Sequence, residues 1–372
     1  MAASKWRVGD EDEPSGGPKW FQEKPGALRA AGKWLFLSLT CGYFALSYAS
    51  LPNFLNLGLY TQGLERTPYQ YRVLQMFVFR VLMRMRIVVY AGTHLAALWN
   101  DPYRLVMVGI AFVSLLVAVL ATAATIRWLT GDGVFSFWAA MLVPLMAQFT
   151  LAYAWDNPFT TPYDVPSVMF FALAMYLVLR RSWWAYYPIF VLAVVNRETA
   201  CFITVFFAVW EWVRLGGTDL DTRTRLRWIV PHVAVQAAIW IAIKVTLARH
   251  FANNVHDGAY MGGLFMTHFR FNLSELLKPQ QWPLMLSVCC FSLPFIWMQR
   301  RYISSKGLRW ALAVILPLYF ACLVVVGIVV EIRIFADWIA LVVPAVALIV
   351  WNRFRPVERP QQKPEDCYEL SC

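Results

Sequence analysis

Long apolar stretches separated by short polar segments run through most of this chain. Three stretches without a charged residue reach the length of a membrane crossing: 34–51, 105–126 and 134–155. A helix needs about 20 such residues to span the hydrocarbon core. Open sheets in lipid would leave backbone groups without hydrogen bonds. The pattern therefore predicts an all-α fold, a polytopic bundle of transmembrane helices.

The apolar pattern predicts about ten spans, with interfacial helices in the outer loops. The predicted spans are 34–51, 103–126, 134–155, 165–179, 183–195, 199–213, 228–247, 283–299, 310–330 and 334–351. Segment 183–213 is too long for one crossing, since a single helix would measure roughly 46 Å. We therefore expect a broken helical hairpin near 183–213, with Asn196–Thr199 at its tip.

The distribution of basic residues supports two crossings in this segment. With the N-terminus inside, most Lys and Arg fall in the inner loops, as the positive-inside rule requires. A single crossing would move Arg223, Arg225 and Arg227 outside. The sequence thus predicts a flexible cytoplasmic tail at 1–33, a transmembrane domain at 34–351 and a second cytoplasmic tail at 352–372. The predicted outer loops are 52–102, 156–164 and 248–282.

Composition agrees with a membrane protein and argues against a soluble domain or a nucleic-acid-binding protein. The chain has 372 residues, of which 59% are hydrophobic and 15% are charged, whereas soluble domains average about 25% charged residues. In a membrane protein the net charge of +11 mainly sets topology, so we expect no nucleic-acid partner. The seven cysteines show no metal-ligand spacing.

The tetrapeptide Asn196-Arg197-Glu198-Thr199 interrupts the apolar segment 183–213. Ionised side chains at bilayer depth are energetically unfavourable, and they are usually paired, face a cavity and serve a function. The tip of the predicted hairpin is therefore a candidate site.

Arginines also occur in the first predicted outer loop. Arg72 follows Tyr71, and Arg80 and Arg84 lie among apolar residues, a pattern typical of a helix in the membrane interface. These arginines either anchor that helix or bind a lipid phosphate, because a planar guanidinium binds two oxygens at once.

Two further outer segments carry acidic residues. The loop 155–166 contains Asp156, Tyr163 and Asp164; Asp164 is either a helix cap or, like Asp156, a general base or metal ligand. The turn 330–337 holds Glu331, Arg333 and Asp337. Either acidic residue of this turn is expected to pair with Arg197 or Arg333, because buried ions need partners.

Together, Tyr71-Arg72, the acidic loop Asp156–Asp164, the Asn196–Thr199 tip and the Glu331–Asp337 turn resemble GT-C integral-membrane glycosyltransferases. They are also similar to elements of uncharacterised bacterial membrane proteins. GT-C enzymes use a polyprenyl-phosphate-linked sugar on the extracytoplasmic face. They usually place an acidic residue early in the first outer loop, where this chain offers only Glu65, so the catalytic carboxylate is either Glu65 or displaced to Asp156 or Asp164.

The resemblance implies an inverting sugar transfer to a glycan or lipid acceptor, in a bacterial inner membrane. Asp156 or Asp164 would act as base, with Glu198 and Glu331 as further catalytic candidates. Arg72, Arg197 or Arg333 would neutralise the lipid phosphate, and Tyr163 would stack on the sugar. The remaining expected substrate-binding residues are Arg80, Arg84, Asn196 and Asp337. No cofactor follows with certainty, although a divalent cation is compatible with the carboxylates.

Two other functions fit parts of the pattern. A secondary transporter or flippase also uses broken helices and charged groups near mid-membrane, but no inverted repeat accompanies Asn196–Thr199. A lipid-binding scaffold would need the interfacial helices but not the acidic loop. Substitution of Asp156 and Asp164 by alanine would abolish the activity of an enzyme but would leave the function of a scaffold unchanged.

Overall fold

A computed structural model of the protein describes residues 26–94, 100–153, 159–218, 220–256 and 266–354. Within these residues the secondary structure is helical, apart from two isolated bridges that join Asn53 to Thr160 and Thr67 to His256. The α-helices are α1 (Ala27–Ser50), α2 (Leu57–Gln62), α3 (Val73–Leu82), α4 (Arg86–His94), α5 (Pro102–Thr130), α6 (Gly133–Ala140), α7 (Leu142–Ala147), α8 (Asp164–Leu179), α9 (Trp183–Asn196), α10 (Cys201–Gly216), α11 (Thr222–His250), α12 (Met266–Leu276), α13 (Trp282–Leu286), α14 (Ser292–Gln299), α15 (Lys306–Val326) and α16 (Ile339–Phe354).

Six helical segments of the described chain are long and apolar enough to cross a membrane, which indicates a membrane protein. They are Pro102–Thr130, Gly133–Ala152, Glu198–Gly216, Thr222–His250, Lys306–Val326 and Ile332–Phe354. Helices α8 and α9 are apolar but shorter. Helix α1 has 24 residues but is not among the six.

Local sequence signals set the beginnings of several helices. The side chains of Asp101, Asp132, Asp221 and Ser305 each accept a hydrogen bond from a backbone N–H in the first turn of the helix that follows. Such caps satisfy amide groups that have no partner within the helix. The long helices therefore begin at polar residues in short loops, as the alternation of apolar and polar segments predicts.

The predicted outer loops meet at one end of the bundle. Tyr48, at the end of α1, donates a hydrogen bond to the carbonyl of Thr161 at 3.0 Å. The bridges of Asn53 and Thr67 bring loops from three parts of the chain together. This end also holds the ionised residues Arg72, Asp164, Arg197, Glu198 and Arg333, and we call it the charged end.

The predicted inner loops meet at the other end. The rings of Trp128 and Trp210 lie 6.1 Å apart, and the guanidinium of Arg181 lies over Trp228. A Cβ on Gly307 would come within 2.6 Å of Trp210, so α15 can approach α10 closely only because residue 307 is glycine. We call this the tryptophan end.

The segment 183–216 is not one continuous helix. Helix α9 ends at Asn196, Arg197 is extended with φ −156°, and a 3₁₀ turn at Glu198–Ala200 leads into α10. The rings of Trp183 and Phe207 are 5.6 Å apart, whereas one straight helix would separate these residues by about 36 Å.

Three boundaries differ from the sequence prediction. Helix α1 begins at Ala27, within the predicted tail 1–33, and α16 continues to Phe354. The predicted span 283–299 is interrupted between α13 and α14, where Cys289, Cys290 and Phe291 have φ values of 51°, 59° and 56°. Apolar composition alone does not reveal such a break, because left-handed backbone is rare for residues with a Cβ.

The helices differ in how far they are buried. Helix α8 is buried along most of its length and packs against α5 and α9. In contrast, only 11% of the apolar window of α11 and 28% of that of α15 are buried. Helices α11 and α15 therefore present much apolar surface to the surroundings, as expected for spans that face lipid.

Candidate functional site

The carboxylate of Asp164 lies at the centre of the charged end, between two arginines. Asp164 is 1% exposed and is the first residue of α8, but its side chain accepts no capping hydrogen bond from the backbone. The Nη1 atom of Arg197 is 3.2 Å from one carboxylate oxygen, and Nη1 of Arg333 is 3.4 Å from the other. The interpretation of Asp164 as a helix cap is therefore wrong.

Arg333 connects the buried carboxylate of Asp164 to the more exposed carboxylate of Glu331. Its Nη2 donates to the carboxylate of Glu331 at 3.0 Å, and 35% of the Glu331 side chain is exposed. The Arg333 guanidinium also lies over the ring of Phe54, 4.9 Å from the centroid. The expected pairing within the Glu331–Asp337 turn is thus present as a Glu331–Arg333 pair.

A second ion pair joins the first predicted outer loop to the Asn196–Thr199 tip. Arg72 donates through Nε and Nη2 to the two oxygens of Glu198, the Nε bond measuring 3.1 Å. The Arg72 side chain is 11% exposed and that of Glu198 is 40% exposed. Burial alone would lower the pKa of Arg72, but the Glu198 carboxylate raises this pKa well above its usual value. Arg72 is therefore a permanent cation.

The ring of Tyr163 packs against Arg72 of this pair and is not exposed. The Arg72 guanidinium lies over the Tyr163 ring at 4.2 Å from the centroid, and the side chain is fully buried. In this structure Tyr163 thus contributes a cation–π contact, which stabilises a desolvated arginine by about 2 kcal/mol.

Asn196 holds the tip in place. It is fully buried, its Nδ2 donates to the carbonyl of Tyr163 at 3.0 Å, and its Oδ1 accepts from Gln75 at 3.2 Å. Asn196 therefore links α9 to α3 and to the residue that precedes α8.

The remaining sequence candidates lie in different surroundings. Arg80 donates to the carbonyls of Thr61 and Gln62, at 2.6 and 2.9 Å, and so closes the C-terminal end of α2. Arg84 is exposed. Asp337 is 1% exposed and accepts from Thr199 and Tyr319. Asp156 lies outside the described residues.

The sequence interpretation missed Lys244. Its Nζ atom is buried and has no hydrogen-bond partner within the described chain. Lys244 is the only Lys, Arg, Asp or Glu of the predicted span 228–247. A charged side chain in an apolar span is itself a signal of function, and this signal could have identified the residue.

Several buried polar atoms at the charged end lack hydrogen-bond partners in the described structure. They include Oη of Tyr163, Nε of Arg197, Oδ1 of Asp337 and Nζ of Lys244. Buried polar atoms are usually paired, so each exception needs an explanation. The arrangement can bind a polar, anionic group through donors that are already desolvated.

Among the described residues, no group of three His, Cys, Asp or Glu side chains could hold a metal ion. A cavity of about 590 Å³ lies at the tryptophan end, lined by residues such as Trp212, Lys306 and Trp310. That cavity is separate from the charged end. The chain matches no protein-family description, no curated protein and no solved structure with which it was compared.

Proposed function

We propose that this chain is a GT-C-type membrane glycosyltransferase that acts at the charged end. The observation that supports this most is the union of four separate outer segments around two ion networks, Arg72–Glu198 and Arg197–Asp164–Arg333. Arg197 and Arg333 are buried and Arg72 is 11% exposed, whereas the carboxylates of Glu198 and Glu331 are 40% and 35% exposed. An anionic leaving group and a proton acceptor can thus be held side by side.

The proposed topology has ten crossings, with the charged end on the extracytoplasmic face. Helices α9 and α10 form a hairpin whose tip, Asn196–Thr199, turns within the protein. The close approach of Trp183 to Phe207 supports this arrangement. Irregular backbone at membrane depth is tolerated where it is buried in protein, and the tip residues Asn196 and Arg197 are buried.

In the proposed reaction, an acceptor hydroxyl attacks the anomeric carbon of a polyprenyl-phosphate sugar. The new bond joins the acceptor oxygen to that carbon, and the bond from the carbon to the phosphate oxygen breaks. The proton of the hydroxyl passes to a carboxylate, and the bonding electron pair remains on the released polyprenyl phosphate. Arginine charge stabilises that phosphate.

We assign the role of base to Glu331 in preference to Asp164. Asp164 is 1% exposed and lies between two guanidinium groups, so an acceptor hydroxyl has no open path to its carboxylate. Glu331 has one arginine partner and a partly exposed side chain. Asp156, outside the described residues, is the other candidate base. Asp164 then serves to hold Arg197 and Arg333 in position.

The test is a transfer assay in proteoliposomes with a panel of radiolabelled polyprenyl-phosphate hexoses. The wild type should release polyprenyl phosphate, and Glu331→Gln or Asp156→Asn should lower turnover by about 10²- to 10⁴-fold, the usual contribution of a general base. Glu275→Gln is the matched control, because Glu275 pairs with Lys278 outside both networks. Accumulation of intact labelled lipid on the far side, without bond cleavage, would instead indicate a flippase.

A further inference from the structure

We infer that Arg72 and Lys244 form a binding site for a lipid phosphate, which the carboxylate of Glu198 occupies in the structure described here. The lipid phosphate as ligand rests on the proposed function. Lys244 is the new element, since it belongs to α11 and to none of the outer segments that suggested the site.

Helix α11 brings Lys244 to the Asn196–Thr199 tip. Trp240 donates its indole N–H to the carbonyl of Glu198 at 3.0 Å. Lys244 lies four residues further along α11, so it shares the helix face of Trp240. Its ammonium group interacts electrostatically with the Glu198 carboxylate and with Arg72. Two cations, from α11 and from the start of α3, therefore face one glutamate.

The charges of this cluster do not balance. Arg72 takes both oxygens of Glu198, and the Lys244 ammonium has no hydrogen-bond partner within the described chain. A buried ammonium without a partner is unfavourable, whereas a phosphate monoester carries more charge and more acceptor oxygens than one carboxylate. A phosphate can therefore satisfy both cations, which Glu198 does not.

Glu198 can leave the cluster more easily than the cations can. Its side chain is 40% exposed, whereas that of Arg72 is 11% exposed and lies against Tyr163. An incoming phosphate would thus displace the carboxylate toward solvent and take its place on Arg72. Glu198 acts in this view as an internal competitor of the ligand.

The sparse packing of α11 offers a route for a lipid chain. Only 11% of the apolar window of this helix is buried, so the surface beside Lys244 is open to the bilayer. A phosphate attached to an isoprenyl chain can reach the two cations while its chain remains in lipid.

The experiment measures the dissociation constant of farnesyl monophosphate for the full-length protein in a phosphate-free detergent. Lys244→Gln should weaken binding by roughly 10- to 100-fold, the range for hydrogen bonds to charged groups, and Lys244→Arg should restore most of it. Glu198→Gln should strengthen binding by about tenfold, because the competing charge is gone. Lys278→Gln and Glu275→Gln are matched controls, since this ion pair lies on another segment.

Glu198→Gln gives the sharpest result, because a purely structural role predicts weaker binding and lower stability. Unchanged or weaker binding by this variant, with a wild-type melting temperature, would overturn the inference. Inorganic phosphate that binds as tightly as farnesyl monophosphate would overturn its assignment to a lipid. Sugar transfer without tighter binding by Glu198→Gln would refute this inference alone, and tighter binding without any transfer would refute only the proposed function.

Discussion

The hydroxyl of Thr199 donates a hydrogen bond of 2.7 Å to the carboxylate of Asp337, 138 residues further along the chain. The same carboxylate oxygen accepts from the Tyr319 hydroxyl at 2.8 Å. This contact joins the Asn196–Thr199 tip to α15 and to the turn before α16. It gives the buried carboxylate of Asp337 two hydrogen-bond donors.

Thr199→Val should therefore destabilise the protein without a large change in volume. The loss of a hydrogen bond to a buried charge lowers the free energy of unfolding by about 1.5–3 kcal/mol. Thermal unfolding in detergent should show a lower midpoint. Thr93→Val, on the exposed face of α4, is the control and should leave the midpoint nearly unchanged. Equal midpoints for the two variants would contradict the importance of this bond.

Asp164→Asn should be among the most damaging substitutions. It leaves Arg197 and Arg333 buried without their shared charge, and removal of one partner of a buried pair destabilises by about 3–5 kcal/mol. Asp132→Asn is the matched control, because Asp132 caps α6 and asparagine caps equally well. If Asp164→Asn unfolds like Asp132→Asn yet loses all transfer activity, Asp164 is the base and not an anchor.

Asn272 begins an Asn-Leu-Ser pattern that fits a glycosylation acceptor, but the structure gives it another role. It is fully buried, donates to the carbonyls of Val324 and Gly327 at 2.8 and 2.7 Å, and accepts from the amide of Val329 at 2.9 Å. Asn272 thus fixes the end of α15 and the turn that leads to Glu331.

We therefore expect Asn272→Ala to lower the melting midpoint and to reduce any activity that depends on Glu331. The change removes the partner of two part-buried carbonyls and leaves the buried amide of Val329 unpaired, and an unpaired buried amide alone costs about 1–3 kcal/mol. Ser274→Ala removes the same acceptor pattern but keeps Asn272, and it should behave like the wild type. A mass shift that disappears in Ser274→Ala would show that a glycan is attached and would refute this role.

Sidedness can be tested at exposed positions at the two ends of the bundle. Single cysteines at Leu64 and Leu277, which are 59% and 73% exposed, should react with an impermeant maleimide from the extracytoplasmic side. Cysteines at Arg223 and Arg301, exposed near the tryptophan end, should react only after the membrane is opened. The background should lack the native cysteines. Labelling of all four from one side would rule out the proposed topology.

The sequence predicted the helical class and the grouping of the outer segments. Both predictions rest on the length of apolar stretches and the charge of loops, which can be determined from each segment separately. The sequence did not predict which charges would pair. Arg197 meets Asp164, and Arg72 meets Glu198, because the rotation and depth of each helix are set by packing against its neighbours. That information is absent from any one segment.

Two residues illustrate this limit. The four-residue spacing places Lys244 on the helix face of Trp240, but the sequence does not show that this face contacts the tip through Trp240. The resemblance to GT-C enzymes implied that Tyr163 stacks on a sugar. Its burial under Arg72 depends on how α8 begins and where α3 lies.

The contacts of Asp164 also have a consequence for biosynthesis. Asp164 is made before Arg197, whereas Arg333 and Asp337 follow more than a hundred residues later. Helix α9 has only 14 residues, which is short for stable independent insertion. A nascent chain that ends before residue 327 would hold Asp164 with one arginine and Thr199 without its acceptor. Ribosome-bound intermediates of that length should thus be preferred substrates for membrane quality control.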